Sequence, residues 1–372
     1  MRSGQCVLIG LICAMTWTGG ATTLSSLNTV FVIVMENSEW SNIEGSTNAP
    51  YINGTLLPMA SFAEAYYNPP GLHPSLPNYL WLEAGTNFGI FDDNDPSLDH
   101  LNTTNHLVTL LQNAGISWKA YQESAPGDIV PLTSYYPYAV RHDPFVYFDD
   151  VTGTNNPNCP YGLAHIRPYS EFASDLTNNT VARYNFVTPN VCSDMHDLCA
   201  PLLNQILQGD TWLASEVPKI LNSAAYTNNG ALFITWDEGA TSDGPLGLLV
   251  LSPLAWGGGY SNHLYYTHSS LLRTVQEIFG VAPLLGDAVN ARNLSDLFYY
   301  YGFRSVQAAP GGGISLIAVG VAPGSTNLVQ ASADLKQWTC ISTNCVATNT
   351  FAFVDYAQTN WAQRFYRLVQ VH

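Results

Sequence analysis

Charge is what this chain has least of. Only 11% of its 372 residues are charged, with 12 Lys and Arg against 28 Asp and Glu, a formal net charge of −16. So little basic surface argues against a binder of nucleic acid or of anionic membranes, both of which need it. An acidic protein that works on an anionic substrate needs a local cation, and a bound metal is the simplest one. No C-x-x-C pair is present, which argues against a cysteine zinc site. No segment approaches ~18 continuous apolar residues, so stable membrane insertion is not expected. No internal repeat or charge block stands out.

The composition is otherwise 47% hydrophobic, enough for one large domain and something smaller. Asn, Thr, Ser, Tyr and Gly are plentiful, as is common in secreted bacterial proteins. Arg2, the apolar stretch Cys6–Trp17 and the small residues Thr18–Thr23 read as a signal peptide over 1–23. The alternative, a membrane anchor, is disfavoured by the shortness of the apolar run. A secreted, periplasmic or cell-surface location follows as an expectation. Of the cysteines beyond that segment, Cys340–Cys345 is the first expected bridge, with Cys192–Cys199 or Cys159–Cys192 as the second.

From 27 to about 304, strand-like and helix-like segments alternate. The runs TVFVIVM, ALFITW and LGLLVLS are continuous and β-branched or apolar, as in strands buried on both faces. NHLVTLLQNAG predicts a short helix stopped by Gly115, and THSSLLRTVQEIFGV a helix closed by Gly280. DTWLASEVPKILNSAAY predicts a helix capped by Asp210, with Pro218 kinking or splitting it. The expected fold is α/β, with a mainly parallel sheet and flanking helices. The stretch 305–313, containing QAAPGGG, reads as a linker. Residues 314–372 read as short strands forming a small β-sandwich-like module.

Ligands of open α/β sheets bind at the carboxyl ends of strands. Two predicted strands end on polar groups that would be wasteful elsewhere, Glu36-Asn37 and Asp237-Glu238. Adjacent acids at a buried strand end repel each other unless a hard cation sits among them. In HPSLPNYL, Pro74 and Pro77 bracket Ser75 in a rigid turn, and a serine hydroxyl beside a divalent cation becomes a good nucleophile. In NVCSDMHDLCAP, Asp194, His196 and Asp197 crowd together between two cysteines, which suits a metal ligand or a general acid. His268 opens a predicted helix, where free amides favour an anion. His142, in RHDPFVYF, is the weakest candidate. Each cluster alone is also compatible with solvated loop residues, turns or caps.

In fixed order, VFVIVMEN, HPSLPNYLWLEAG, HDPFVYF, DMHD, FITWDEG and THSSLLRTVQEIFG resemble the bacterial phosphoesterase family of acid phosphatases and phospholipases C. That family is similar in fold to alkaline phosphatase. The resemblance implies an alkaline-phosphatase-like domain over 27–304 and a phosphate-ester substrate. It implies a divalent metal held by Glu36, Asn37, Ser75, Asp237 and Glu238, with Ser75 as nucleophile. His196, His268 and Asp194 are then expected in catalysis, and His73, Asn78, His142 and Asp197 against the substrate. A phosphatase-like phosphomonoesterase is favoured over a phospholipase C, whose long additional C-terminal region is missing. The C-x-P-x-R signature of sulfatases is absent too. A third alternative is a catalytically dead surface-binding protein using its tail, which resembles C-terminal modules of secreted bacterial proteins.

Overall fold

The structure is a computed structural model, and it describes residues 23–240, 243–299, 301–321, 324–348, 350–357 and 363–371. The expected signal peptide, Thr23 apart, lies outside the described residues. By their contacts, residues 24–298 form one compact unit and 299–372 belong to another.

The larger unit is built on ten strands: β1 (Thr29–Met35), β2 (Ser61–Ala63), β3 (Tyr66–Tyr67), β4 (Trp118–Gln122), β5 (Ile166–Pro168), β6 (Tyr184–Thr188), β7 (Gly230–Trp236), β8 (Leu248–Leu251), β9 (Tyr260–Asn262) and β10 (Tyr266–Thr267). Eight of them make one sheet in the order β5-β4-β6-β1-β7-β8-β2-β9, and β3 pairs with β10. Pairing is parallel from β5 to β7; β8 runs antiparallel to both β7 and β2. The sheet is thus mainly parallel, as the continuous apolar runs imply, since a strand covered on both faces has no polar side. Every residue of β1 and of β7 is buried.

Register sets up the site. Met35 pairs with Trp236 at the ends of β1 and β7, so Glu36 and Asp237 emerge side by side. On the other flank, Ile33 pairs with Val187 of β6, which leads into the loop carrying Asp194. The helix Ser75–Ala84 has Ser75 as its first residue and Gly85 as its left-handed C-cap. The helix His268–Phe279 is held by a Thr267–Ser270 capping box and closed by Gly280.

One helix differs from expectation. It runs Gln205–Leu221, capped by Asn204, whose side chain accepts from the Leu207 amide, and it passes through Pro218. Asp210 lies inside it. Its carboxylate instead accepts from the amides of Tyr51 and Ile52, capping a different segment. Asp is a good cap for any free helix amide, and tertiary contact decided which one.

The second unit holds β11 (Gly302–Ala308), β12 (Ile314–Val319), β13 (Thr326–Ser332), β14 (Thr339–Cys345), β15 (Thr350–Asp355) and β16 (Phe365–Val371). They form two antiparallel three-stranded sheets, β11-β12-β15 and β14-β13-β16, around Ile314, Leu316 and Val329. Of the stretch 305–313 read as a linker, 305–308 lie in β11, which pairs with β12 through Ala308↔Ile314. The expected Cys340–Cys345 bridge is also overturned. Both residues lie on β14 and are free. Five residues of extended chain separate them by roughly 16 Å, far beyond disulfide reach. Cys192–Cys199 is the bridge that forms, with Cα atoms 5.5 Å apart, and Cys159 is free and buried.

Candidate active site

Three neighbouring parallel strands, β6, β1 and β7, deliver acids to one place. Glu36, Asp194 and Asp237 are all fully buried. The backbone is stitched across them: the Glu36 amide donates to the Asp194 carbonyl (2.8 Å) and the Asp237 amide to the Met35 carbonyl (2.9 Å). Asn37 adopts a left-handed φ of 46°, which asparagine tolerates, and its amide donates to Asp237 Oδ1 at 3.2 Å.

Ser75 meets this floor from the helix side. Its Oγ donates to Glu36 Oε2 at 3.1 Å. One turn later on the same helix, Tyr79 donates to Glu36 Oε1 at 2.7 Å. An i, i+4 pair therefore grips both oxygens of one carboxylate. Tyr79 also stacks on His142, at 5.2 Å and 12° between ring planes. The free amide of Leu76 donates to Asp93 Oδ1 at 2.9 Å, which satisfies one of the orphan donors of the helix start.

His142 is wedged between two acids, with Nε2 3.2 Å from Glu36 Oε1 and Nδ1 3.4 Å from Asp194 Oδ2. Neither approach is aligned as a hydrogen bond: His142 Nε2, Asp194 Oδ2 and Asp237 Oδ2 are buried without partners. Burial holds His142 well below the usual histidine range, so its ring is neutral and offers a lone pair. Burial, then Asp237 and Asp194, pushes Glu36 up; burial also lifts Asp194. Asp237 is raised to about 8 by burial and by Glu238. A divalent cation would satisfy orphaned ligand atoms and mutually repelling acids of this kind, and Glu36, His142 and Asp194 present ligand atoms within 4.8 Å of one another.

The loop that carries Asp194 is locked from several sides. Met195, with φ 85°, points into the core, and its sulfur accepts from Trp236 Nε1 at 3.3 Å. Gly209 packs so closely beneath Met195 that a Cβ there would collide with it. The Cys192–Cys199 bridge closes the loop. On its outer face, His196 Nδ1 pairs with Asp197 Oδ1 (2.7 Å), and His196 Nε2 lies 3.2 Å from Arg141 Nη2. Asp197 accepts only, so Nδ1 carries the hydrogen, and the bare Nε2 accepts from Arg141. Arg141 Nε lies 3.5 Å from Asp93 Oδ2.

Several expected roles move. His268 is buried, its Nε2 donating to the Asp237 carbonyl at 2.6 Å and its Nδ1 facing the Tyr66 hydroxyl at 3.0 Å. Its Nε2 braces the end of β7 and its Nδ1 the Tyr66 hydroxyl on β3, and burial lowers the ring to about 4. Asn78 is buried too; its Nδ2 donates to the Leu72 carbonyl (2.8 Å) and Glu238 Oε2 (3.0 Å), which holds the turn before Ser75 rather than a substrate. Asp197, a carboxylate, orients His196 instead of touching an anion. His142, expected against the substrate, belongs to the buried acid cluster. Glu238 stands next to Asp237 at the rim, with Oε2 2.7 Å from His73 Nδ1, and burial raises it to about 8. His73, with 41% of its side chain exposed, spans Glu238 and Asp243. Tyr79, Arg141 and Asp93 were not foreseen.

The chain matches the model of the Phosphoesterase family over residues 60–244. It is 30% identical over 279 residues to the phosphatidylinositol-3-phosphatase of Mycobacterium tuberculosis, covering 75% of this chain and 85% of that one. It is 26% identical over 274 residues to an acid phosphatase of Aspergillus fumigatus, covering 70% of this chain and 56% of the relative. A phosphate-repressible acid phosphatase of Penicillium chrysogenum is 30% identical over 226 residues, 58% of this chain and 51% of its own. The match thus spans only about half of those fungal relatives. Among solved structures, a protein of the alkaline phosphatase superfamily from Vibrio parahaemolyticus aligns with a TM-score of 0.49 and 9% identity, covering 87% of this chain and 85% of its own. The chain belongs to the Phosphoesterase family, and with it to the hydrolases that act on phosphate ester bonds.

Proposed function

We propose that the protein is an exported, metal-dependent phosphomonoesterase with Ser75 as its nucleophile. The observation that carries this is the Ser75 hydroxyl, 3.1 Å from Glu36 Oε2 among fully buried carboxylates. A hydroxyl at a helix start, amid acids that need a cation, has few structural reasons to be there. Glu36, Asp237 and Ser75 would hold the ion, with Asn37 and Glu238 beside them and His142 and Asp194 on the far side of Glu36. When bound, a divalent cation supplies the positive charge that favours ionised Ser75 and balances a phosphoryl group.

The chain's own groups account for the rest. Ser75 gives its proton to Glu36, the acceptor already in contact, and its Oγ attacks phosphorus in line with the leaving oxygen. His196, its Nδ1 hydrogen held by Asp197, lets go of Arg141 when Nε2 takes up a proton, and passes that proton to the leaving oxygen as the P–O bond breaks. Water then attacks the phosphoseryl group, losing a proton to His196; phosphate leaves, and Ser75 Oγ takes back the proton it gave to Glu36.

An activity panel of phosphomonoesters and phosphodiesters, run after chelation and after re-addition of single divalent metals, tests this. Monoester turnover that vanishes on chelation and returns with a metal supports the reading. Undiminished turnover after chelation contradicts the metal, and a clear preference for diesters contradicts the phosphomonoesterase. Recovery of the protein from culture medium or periplasm tests export.

A further inference from the structure

We propose that Arg141 is the residue that selects phosphomonoesters, by binding the terminal oxygen that a phosphodiester has esterified; this rests on the phosphoesterase chemistry above. Arg141 lies in the short turn Val140–His142, and the residue after it, His142, is buried in the acid cluster. The turn thus sends His142 inward and leaves Arg141 at the rim, with 23% of its side chain exposed. Its charge reaches Glu36, Asp194, Glu238 and Asp93. In so acidic a chain, a guanidinium at the rim of the acid cluster is a scarce resource.

Its anchors place it on both sides of the reaction. Asp93 holds Arg141 Nε through one oxygen and the Leu76 amide, next to Ser75, through the other. Arg141 Nη2 donates to His196 Nε2. A guanidinium carries about five N–H donors, so donors on Nη1 and Nη2 remain with no protein acceptor among the described residues. They are suited to a planar pair of oxygens, the geometry that arginine recognises best.

Attack by Ser75 leaves three equatorial oxygens on phosphorus. A cation held by the acid floor would draw oxygens to the buried side. The remaining oxygen of a monoester dianion faces the rim and is a charged acceptor. In a diester that oxygen bears a carbon group, accepts weakly and carries no charge, so the arginine gains little there.

The test compares wild type, Arg141→Gln and Arg141→Lys on an aryl phosphomonoester and an aryl phosphodiester, with bound metal measured in each. Loss of charge-assisted hydrogen bonds predicts a fall of about 10- to 100-fold in monoester kcat/KM for Arg141→Gln. Diester kcat/KM is expected to stay within a few-fold, and metal content unchanged. Inhibition by inorganic phosphate weakens in parallel, and Arg141→Lys recovers part of the loss. Equal losses on both esters, no loss on the monoester, or losses that track lost metal would each overturn the assignment. A wild-type protein inactive on every ester with every metal would instead sink the phosphoesterase reading beneath it.

Discussion

Removing the cation should make the protein less stable as pH rises, the reverse of what an ordinary paired carboxylate does. Asp237 titrates near 8 in the folded, metal-free chain and near 4 when unfolded. Between those values the folded state holds a proton that the unfolded state has lost, so stability falls with rising pH. Glu36 and Asp194, raised by the same burial, act in the same direction. His142 and His268 act oppositely, because their lowered values make stability fall as pH drops below the unfolded histidine range. The informative window is therefore about pH 6.5 to 8, above the histidines. One proton is worth about 1.4 kcal/mol per pH unit, so Asp237 alone gives about 2 kcal/mol across the window, or about 4–8 °C in Tm for a domain of this size. Bound cation replaces those protons and flattens the dependence. Thermal unfolding of chelated and metal-loaded protein at the two pH values measures it. A chelated protein as stable at pH 8 as at 6.5, or one unaffected by metal, would refute the argument.

Other expectations are more local. Tyr79→Phe removes the donor to Glu36 Oε1, and metal affinity should weaken by about 10- to 100-fold, as for other lost supports of a ligand; titration calorimetry reads this, and unchanged affinity would mean Glu36 is held without it. Replacing Cys192 and Cys199 by Ser frees the loop of Asp194, His196 and Asp197. For so short a loop the chain-entropy estimate is about 2.5 kcal/mol of stability, and activity should fall further than that loss explains; denaturant titration alongside turnover separates the two. In native protein, alkylation should modify Cys340 and Cys345 quickly and Cys159 only on unfolding; a protected Cys340–Cys345 pair would restore the bridge that β14 argues against.

Much of the site was legible because its key residues stand where local signals end. Glu36 and Asp237 follow buried strands, where an acid is out of place, and Ser75 sits in a proline-bounded turn. Parallel pairing of β1 and β7 then brings the acids together. Tyr79 was not legible: within HPSLPNYL it looks like one more apolar helix residue, and its role appears only once Glu36 lies across from Ser75. Arg141 and Asp93 were hidden for the same reason, since each acts through partners far away in the chain. His268 matched a helix-start anion site, yet the Asp237 carbonyl and the Tyr66 hydroxyl take both of its nitrogens. Close spacing of Cys340 and Cys345 suggested a bridge that an extended strand forbids.

The most direct measurement is acid quenching of turnover on a phosphomonoester, followed by mass spectrometry of the peptide containing Ser75. The account predicts one added phosphoryl group on Ser75 in metal-loaded wild type, and none after chelation or in Asp237→Asn. Steady turnover by Ser75→Ala at a near-normal rate, or a phosphoryl group trapped on another residue, would contradict it.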